Sequence, residues 1–250
     1  MIILKSPGEI ERMRVPCQVV ADILELLQDE IKPGITTHSL NELAEREARK
    51  QRAVPAFKGY SGYPYALCCS INEEVVHGMP SSRELVDGDI LSIDFGVVYD
   101  GFYGDAALTV PIGEVSGTAR KLLKVTEESL YRAIDAARPG GHLSDISHAV
   151  QSYVESYGFS VVHDFVGHGI GRNLHESPQI PNFGPPGRGV RLKPGMVLAI
   201  EPMINEKGYD VKILQDGWTA VTVDGGLSAH FEHTVAITEN GPEILTKRTK

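Results

Sequence analysis

The apolar positions Ile10, Met13, Cys17, Val20, Ile23, Leu24 and Leu27 fall on one face of a helix. Just before them, Ser6-Pro7-Gly8-Glu9 has the form of a capping box with proline at the first helical position, so a helix is predicted to open there. A second long helical pattern runs through 119-ARKLLKVTEESLYRAIDAA-137. Elsewhere the pattern changes. The stretches 88-GDILSID-94 and 195-GMVLAIE-201 are short apolar, strand-like runs, and 228-SAHFEHTVAIT-238 alternates. Helices mixed with such strands predict an α+β fold.

These elements occur twice in one order. The first half reads helix, 32-KPGITTHSLNEL-43, 75-VVHGMP-80 and 88-GDILSID-94; the second reads helix, 138-RPGGHLSDISHAV-150, 166-VGHGIG-171 and 195-GMVLAIE-201. In each, Pro-Gly ends a helix and a hydroxyl residue, Thr36 or Ser144, is placed to cap the next. In each, a glycine opens an apolar run that ends on a carboxylate, Asp94 or Glu201. The matches predict two similar αβ halves, approximately 1–112 and 113–250, with a site where they meet. No linker composition separates them, so a single domain over 1–250 is expected.

Asp100-Gly101, set inside 97-VVYDGFYGDAALTV-110, signals a two-residue type I′ hairpin. Pairing Tyr99 with Phe102 puts position 94 opposite 107 and leaves Asp105 diagonally beside Asp94 on one face. In the second half Glu201 repeats the place of Asp94. Glu232 lies in an alternating strand and shares a face with His230, opposite Ala229, Phe231, His233 and Val235. Each half thus supplies two carboxylates, and acids so gathered need a cation or a shared proton.

The stretch 167-GHGIGRNLHESP-178 offers His168 as a neutral nitrogen ligand, and its glycines are read as letting metal and substrate approach the backbone. Four carboxylates and one imidazole make a hard, oxygen-rich set that two divalent ions roughly 3.5–4 Å apart would balance. The imidazole favours manganese, iron, cobalt or zinc over magnesium. On pattern alone His77 and His175 stay open between surface residues and members of the site.

Composition narrows the classes. With 250 residues, 42% hydrophobic and 23% charged, the chain can bury a core. Its net charge of −9 argues against a protein that coats nucleic acid. Cys17, Cys68 and Cys69 write no disulfide framework, which predicts a reduced, cytoplasmic setting. Cys68 and Cys69, inside 66-ALCCSI-71, read as packing residues. The N-terminal residues carry no signal-peptide pattern, and no run approaches the roughly 18 apolar residues of a membrane span, so neither export nor membrane insertion is expected.

The segments EEVVHGMP, DFGVVYDGFYGDAA, GHGIGRNLHESP, LKPGMVLAIEPM and HFEHT, in this order and spacing, make the chain resemble the type I methionine aminopeptidases of bacterial kind, in family M24. The likeness extends over essentially the whole sequence. It implies the pseudo-twofold "pita-bread" fold, with antiparallel strands and a dinuclear metal site between the halves. It implies that Asp105 and Glu232 bridge two metals, that His168 and Glu201 hold one and that Asp94 holds the other. It further implies that His77 and His175 contact substrate, that Glu201 shuttles a proton, and that Phe57, Tyr60, Tyr63, Cys68, Leu174 and Trp218 wall a methionine pocket.

The same resemblance implies a monovalent cation near Asn72, Glu74 and Ser228, a monomer, and nascent polypeptide N-termini at the ribosome as partners. The implied activity is removal of initiator methionine when the second residue is small. Three positions depart from frequent family residues: Phe57 stands where some members have cysteine, Leu174 where phenylalanine is frequent, and His230 where many have glutamine. His230, sharing a face with Glu232, is expected within reach of the metal ligands. Two other readings belong to the same fold. An X-Pro aminopeptidase or dipeptidase would carry an N-terminal domain, for which a helix opening at Ser6 leaves no room, and a non-catalytic binding protein would lack ligands that are present here.

Overall fold

The computed structural model describes residues 1–247. The first helix, α1 (Pro7–Glu30), opens as its sequence requires: Ser6 Oγ accepts from Glu9 N and the Glu9 carboxylate accepts from Ser6 N at 3.0 Å. Its apolar stripe is buried against the strands that follow. Helix α2 (Thr37–Lys50) is capped by Thr36, whose side chain accepts from Ser39 N. The strands of the first half are β1 (Val54–Pro55), β2 (Cys68–Ile71), β3 (Glu74–Val76), β4 (Ile90–Tyr99) and β5 (Phe102–Pro111).

The second half brings helices α3 (Gly117–Ala136) and α4 (Leu143–Ser156). Strands β6 (Ser160–Val161), β7 (Gly167–Gly169), β8 (Glu176–Ile180), β9 (Val197–Ile200) and β10 (Met203–Asn205) follow. The chain continues through β11 (Val211–Ile213), β12 (Ala220–Thr222), β13 (Ser228–His230), β14 (Glu232–Thr238) and β15 (Gly241–Ile244). Helix α4 begins one residue earlier than the cap predicted at Ser144. Asp145 instead accepts from His142 N at 2.8 Å, and Ser144 Oγ accepts from Arg188 N at 2.7 Å, tying the helix to a distant loop.

One nine-stranded sheet runs through both halves in the order β1-β4-β5-β14-β9-β7-β8, with β2 beside β4 and β15 beside β14. The halves join where β5 pairs antiparallel with β14, Glu232 opposite Ala107. Around that seam β2-β4-β5 mirrors β7-β9-β14. Consequently the pseudo-symmetric counterpart of the GHG strand is β2 and not the 75–80 stretch, because β3 pairs with β12 in a separate small sheet. The matched order of 75-VVHGMP-80 and 166-VGHGIG-171 therefore does not reflect matched sheet positions.

Alternation divides the sheet faces. Leu91, Ile93, Phe95 and Val97 of β4 join Val20, Ile23 and Leu27 of α1 in one apolar core, while Leu198 and Ile200 of β9 and Val235 of β14 join α3 and α4 in a second. The intervening positions, Asp94 and Asp105 with Ala107 opposite Asp94, face away from both cores. Helix α1 crosses close above β5, so close that a side-chain carbon at Gly104 would lie 2.7 Å from Cys17 N.

Candidate active site

The Asp100-Gly101 turn fixes the first pair of acids. Asp100 has φ 49° and Gly101 φ 76°, both in the left-handed region that a type I′ turn demands. Tyr99 pairs with Phe102, Asp94 with Ala107 and Gly96 with Asp105, the predicted register. Gly96 has a steric reason: a side-chain carbon there would sit 3.0 Å from Asp105 Oδ1 and 2.9 Å from Phe57. Its absence lets the carboxylate and the aromatic ring occupy the sheet face together.

The second half reaches the same face differently. The alternating run 228–238 is broken at Phe231, so β13 and β14 belong to different sheets, a division that the predicted continuous strand misses. His230 and Glu232 nevertheless line one cavity, because the break is bridged through β5: His230 N donates to Thr109 Oγ1 at 2.9 Å and Thr109 Oγ1 donates to His230 O at 2.8 Å. Glu201 follows the last residue of β9, its backbone carbonyl held by Asn182 Nδ2 at 3.0 Å.

His168 is carried on β7, and the glycines around it serve the sheet. A side-chain carbon at Gly167 would lie 2.4 Å from Ala199 O, and one at Gly169 would lie 2.4 Å from Ser177 O. Neither has a positive φ. These glycines admit neighbouring backbone, which corrects the expectation that they admit metal and substrate. His168 Nδ1 bonds to the Gly169 carbonyl at 2.9 Å; a carbonyl can only accept, so Nδ1 carries the hydrogen and Nε2 is left with its lone pair. That Nε2 lies 3.5 Å from Glu201 Oε1.

All these groups line a cavity of about 230 Å³. Asp94, Asp105, His168, Glu201 and Glu232 form its floor with His230, whose Nε2 is 3.4 Å from Glu201 Oε2. Ligand atoms of Asp105, His168 and Glu232 lie within 4.8 Å of one another. His77 and His175 flank the floor, and the remaining predicted residues, Phe57, Tyr60, Tyr63, Cys68, Leu174 and Trp218, are walls.

Sequence reasoning missed the wall residues Ser61, Val76, Phe165, Val166 and Met203. Adjacency was the available signal for all five, since Ser61 follows Tyr60, Val76 precedes His77, Phe165 and Val166 precede the GHG strand and Met203 follows Glu201-Pro202. His77 has φ 59°, unusual for a residue with a side chain, and its ring meets Phe165 edge-on at 5.4 Å. Tyr63 donates to Gly78 O at 3.0 Å and packs edge-on against Trp218 at 5.1 Å. Asn72 and Ser228 meet through a 2.8 Å bond from Ser228 N to Asn72 O, and Glu74 accepts from Ile71 N, so the three lie in adjoining strand ends.

The floor is electrostatically incomplete by itself. Burial raises Asp94 to about 7 and Glu201 to about 8, and it pushes Asp105 and Glu232 well above the carboxylate range, with neighbouring acids adding to both. Burial also lowers His168 and His77 to about 4, favouring neutral imidazoles. Asp94 Oδ1, Asp105 Oδ1, Glu232 Oε1 and His230 Nε2 are buried without a hydrogen-bond partner. A buried polar atom left unpaired costs about 1–3 kcal/mol, so several in one pocket define a donor set built for something else. Carboxylate oxygens with one free imidazole nitrogen suit divalent cations.

Fold and site together define a class. The model of metallopeptidase family M24 matches residues 11–239, and the chain belongs to that family. Within it, the chain is 57% identical over 247 residues to methionine aminopeptidase 1 of Bacillus subtilis, covering 99% of this chain and 100% of that one. Methionine aminopeptidase of Clostridium perfringens is 56% identical over 246 residues, covering 98% and 99% of the two chains. The crystal structure of methionine aminopeptidase from Thermotoga maritima superposes with a TM-score of 0.98 at 53% identity, over 99% of this chain and 100% of that one. Prolidase from Pyrococcus furiosus shares the fold with a TM-score of 0.79 at 25% identity, but this chain covers only 66% of it.

Proposed function

We propose that this protein is a methionine aminopeptidase, a metal-dependent exopeptidase that removes the initiator methionine from nascent chains whose second residue is small. One observation carries the reading: five ligand-type side chains drawn from both halves, with His77 and His175, converge on one cavity whose walls are aromatic and apolar. The likeness to methionine aminopeptidases over nearly the full chain supports it. Identities of 57% and 53% to methionine aminopeptidases, against 25% to the prolidase, favour this reading over an X-Pro enzyme, and the complete ligand set argues against a non-catalytic binding protein.

Asp94, Asp105, His168, Glu201 and Glu232 would hold two divalent ions, manganese, iron, cobalt or zinc. When bound, such ions make water a competent nucleophile near neutral pH and polarise the peptide carbonyl. The protein supplies the rest. Glu201 carries a proton from the attacking water to the departing amine. His175 donates a hydrogen bond to the carbonyl oxygen as negative charge develops there, and His77 stands on the leaving side.

Phe57, Tyr63, Cys68, Leu174 and Trp218 receive the methionine side chain, with Tyr60 at the rim. An apolar pocket discriminates by about 1–3 kcal/mol per methylene, so shape selects an unbranched side chain over shorter ones. We assign the chain one catalytic domain and a monomeric, cytoplasmic form acting at the ribosome. Among the described residues no helix is long and apolar enough to cross a membrane. A monovalent cation near Asn72, Glu74 and Ser228 belongs to the same proposal.

The test is hydrolysis of Met-Gly-Met-Met and Met-Leu-Met-Met by EDTA-stripped protein, with and without manganese, cobalt or ferrous iron. Methionine release from the glycine peptide only when metal is added, with little from the leucine peptide, is the expected result. Silence of the folded protein with every metal, or cleavage of Xaa-Pro peptides instead, contradicts it.

A further inference from the structure

His168, on β7, and His175, in the connection from β7 to β8, have ring centroids 4.3 Å apart, yet their Nδ1 atoms meet different partners. The carbonyl on His168 Nδ1 leaves no choice of tautomer. His175 Nδ1 instead lies 2.7 Å from the hydroxyl of Tyr60, a contact that joins the two halves. A hydroxyl can donate or accept, so here the tautomer is set by what the rest of the ring must do.

If Tyr60 accepted from Nδ1, His175 Nε2 would present a lone pair to the cavity and repel a carbonyl oxygen. If Tyr60 donates to Nδ1, Nε2 carries the hydrogen and faces the cavity as a donor. Taking the aminopeptidase reading as given, we infer that Tyr60 is a positioning residue: its hydroxyl donates to His175 Nδ1 and holds that imidazole as the Nε2–H tautomer, oriented toward the substrate carbonyl.

Both partners are mounted to serve this contact. The Tyr60 loop is closed on itself by Gly59 N to Tyr63 O at 2.7 Å and Tyr60 N to Phe57 O at 2.9 Å. Gly59 (φ 89°) and Gly62 (φ 90°) permit that closure. On the other side, the residue after His175 is anchored. Glu176 pairs with Lys5 at 2.5 Å, both side chains only 4% exposed, and its other oxygen accepts from Arg172 N at 2.8 Å and Asn173 N at 3.2 Å. With the backbone fixed from behind, the Tyr60 hydroxyl is the contact that fixes the ring. The two neighbouring histidines are thereby set as opposite tautomers, one an acceptor for a cation and the other a donor to substrate.

The experiment uses ¹⁵N-histidine-labelled, zinc-loaded protein. Long-range proton–nitrogen correlation assigns each neutral ring as Nδ1–H or Nε2–H, His175→Asn identifies the His175 signals, and Tyr60→Phe removes one exposed oxygen. The expected result is an Nε2–H tautomer for His175 in the unaltered protein that becomes mixed in Tyr60→Phe, with His168 unchanged. The kcat of Tyr60→Phe on Met-Gly-Met-Met should fall about tenfold, the scale of one lost hydrogen bond, with KM nearly unchanged. An Nδ1–H form of His175 in the unaltered protein, or an unchanged tautomer and kcat in Tyr60→Phe, overturns the inference. Failure of the unaltered protein to release methionine would instead overturn the aminopeptidase reading, while the tautomer measurement would still stand on its own.

Discussion

The two halves place two acids each by different means. In the first, β4 and β5 are joined by the two-residue Asp100-Gly101 turn, so Asp94 and Asp105 are locked by a local register. In the second, Glu201 directly follows β9 and Glu232 opens β14, but the chain between them makes an excursion through β10 to β13, returns with His230, and includes the wall residues Met203 and Trp218. One half is a clamp closed by a two-residue turn; the other spends its connection on walls and on a further buried imidazole. A pseudo-symmetric site can thus be symmetric in its acids while the connections that join those acids differ, with pocket walls supplied by both halves.

The comparison breaks first at the acids. Asp105→Asn from the tight half and Glu232→Gln from the open half should each cut methionine release by about 10⁴-fold, as when a member of a catalytic unit is removed, measured at saturating manganese. A mild effect from either would show that the halves do not contribute equally. Next comes His230, found only on the open side. His230→Leu should weaken manganese affinity by about 10- to 100-fold, the usual effect of losing a group that supports a ligand, with the peptide KM little changed. Calorimetry and kinetics check this together.

A subtler break lies in pH. Burial raises all four acids in the absence of metal, Asp94 to about 7 and Glu201 to about 8. Wherever pH exceeds the unfolded carboxylate value of about 4, the folded state then binds more protons than the unfolded chain. Their stability is therefore present at low pH and is lost as pH rises through 7 and 8. His77 and His168, lowered to about 4, act in the opposite sense, losing stability as pH falls below their unfolded value of about 6.5. Above that value the carboxylates alone count. Thermal melts of EDTA-stripped protein should fall from about pH 6.5 to about pH 8.5, and added manganese should abolish the slope; a flat stripped profile would contradict the raised values.

The smallest effect concerns the turns. Gly101 (φ 76°) and Gly217 (φ 79°) have open space around them, so alanine at either costs only left-handed strain, about 1–2 kcal/mol. Equal losses of melting temperature are expected. The kinetics should differ: Gly217→Ala, next to Trp218, raises the KM for methionine peptides, whereas Gly101→Ala leaves it unchanged.

Much of the clamp was legible because its determinants are local. The capping box at Ser6, the Asp-Gly turn and the alternation on either side fix a helix start and a sheet register within a few residues. The break at Phe231 was not legible, because alternation continues through it and only the distant partner Thr109 reveals that His230 has changed sheets. The start of α4 at Leu143 was missed for a similar reason: Ser144 has the chemistry of a cap, but Arg188 claims its hydroxyl. The GHG glycines were recognised as special, yet their cause, the carbonyls of Ala199 and Ser177, lies in neighbouring strands. Contacts such as Lys5 with Glu176 and Tyr60 with His175 join residues far apart in sequence and leave no local pattern.

The central claim is that acids from both halves form one cation site. Calorimetric titration of manganese into EDTA-stripped protein at neutral pH, repeated in buffers of different ionisation enthalpy, tests it most directly. The account predicts two ions per chain and net proton release on binding, because acids held partly protonated by burial must give up their protons. Absence of manganese uptake by folded protein, or uptake with no proton release, would contradict it.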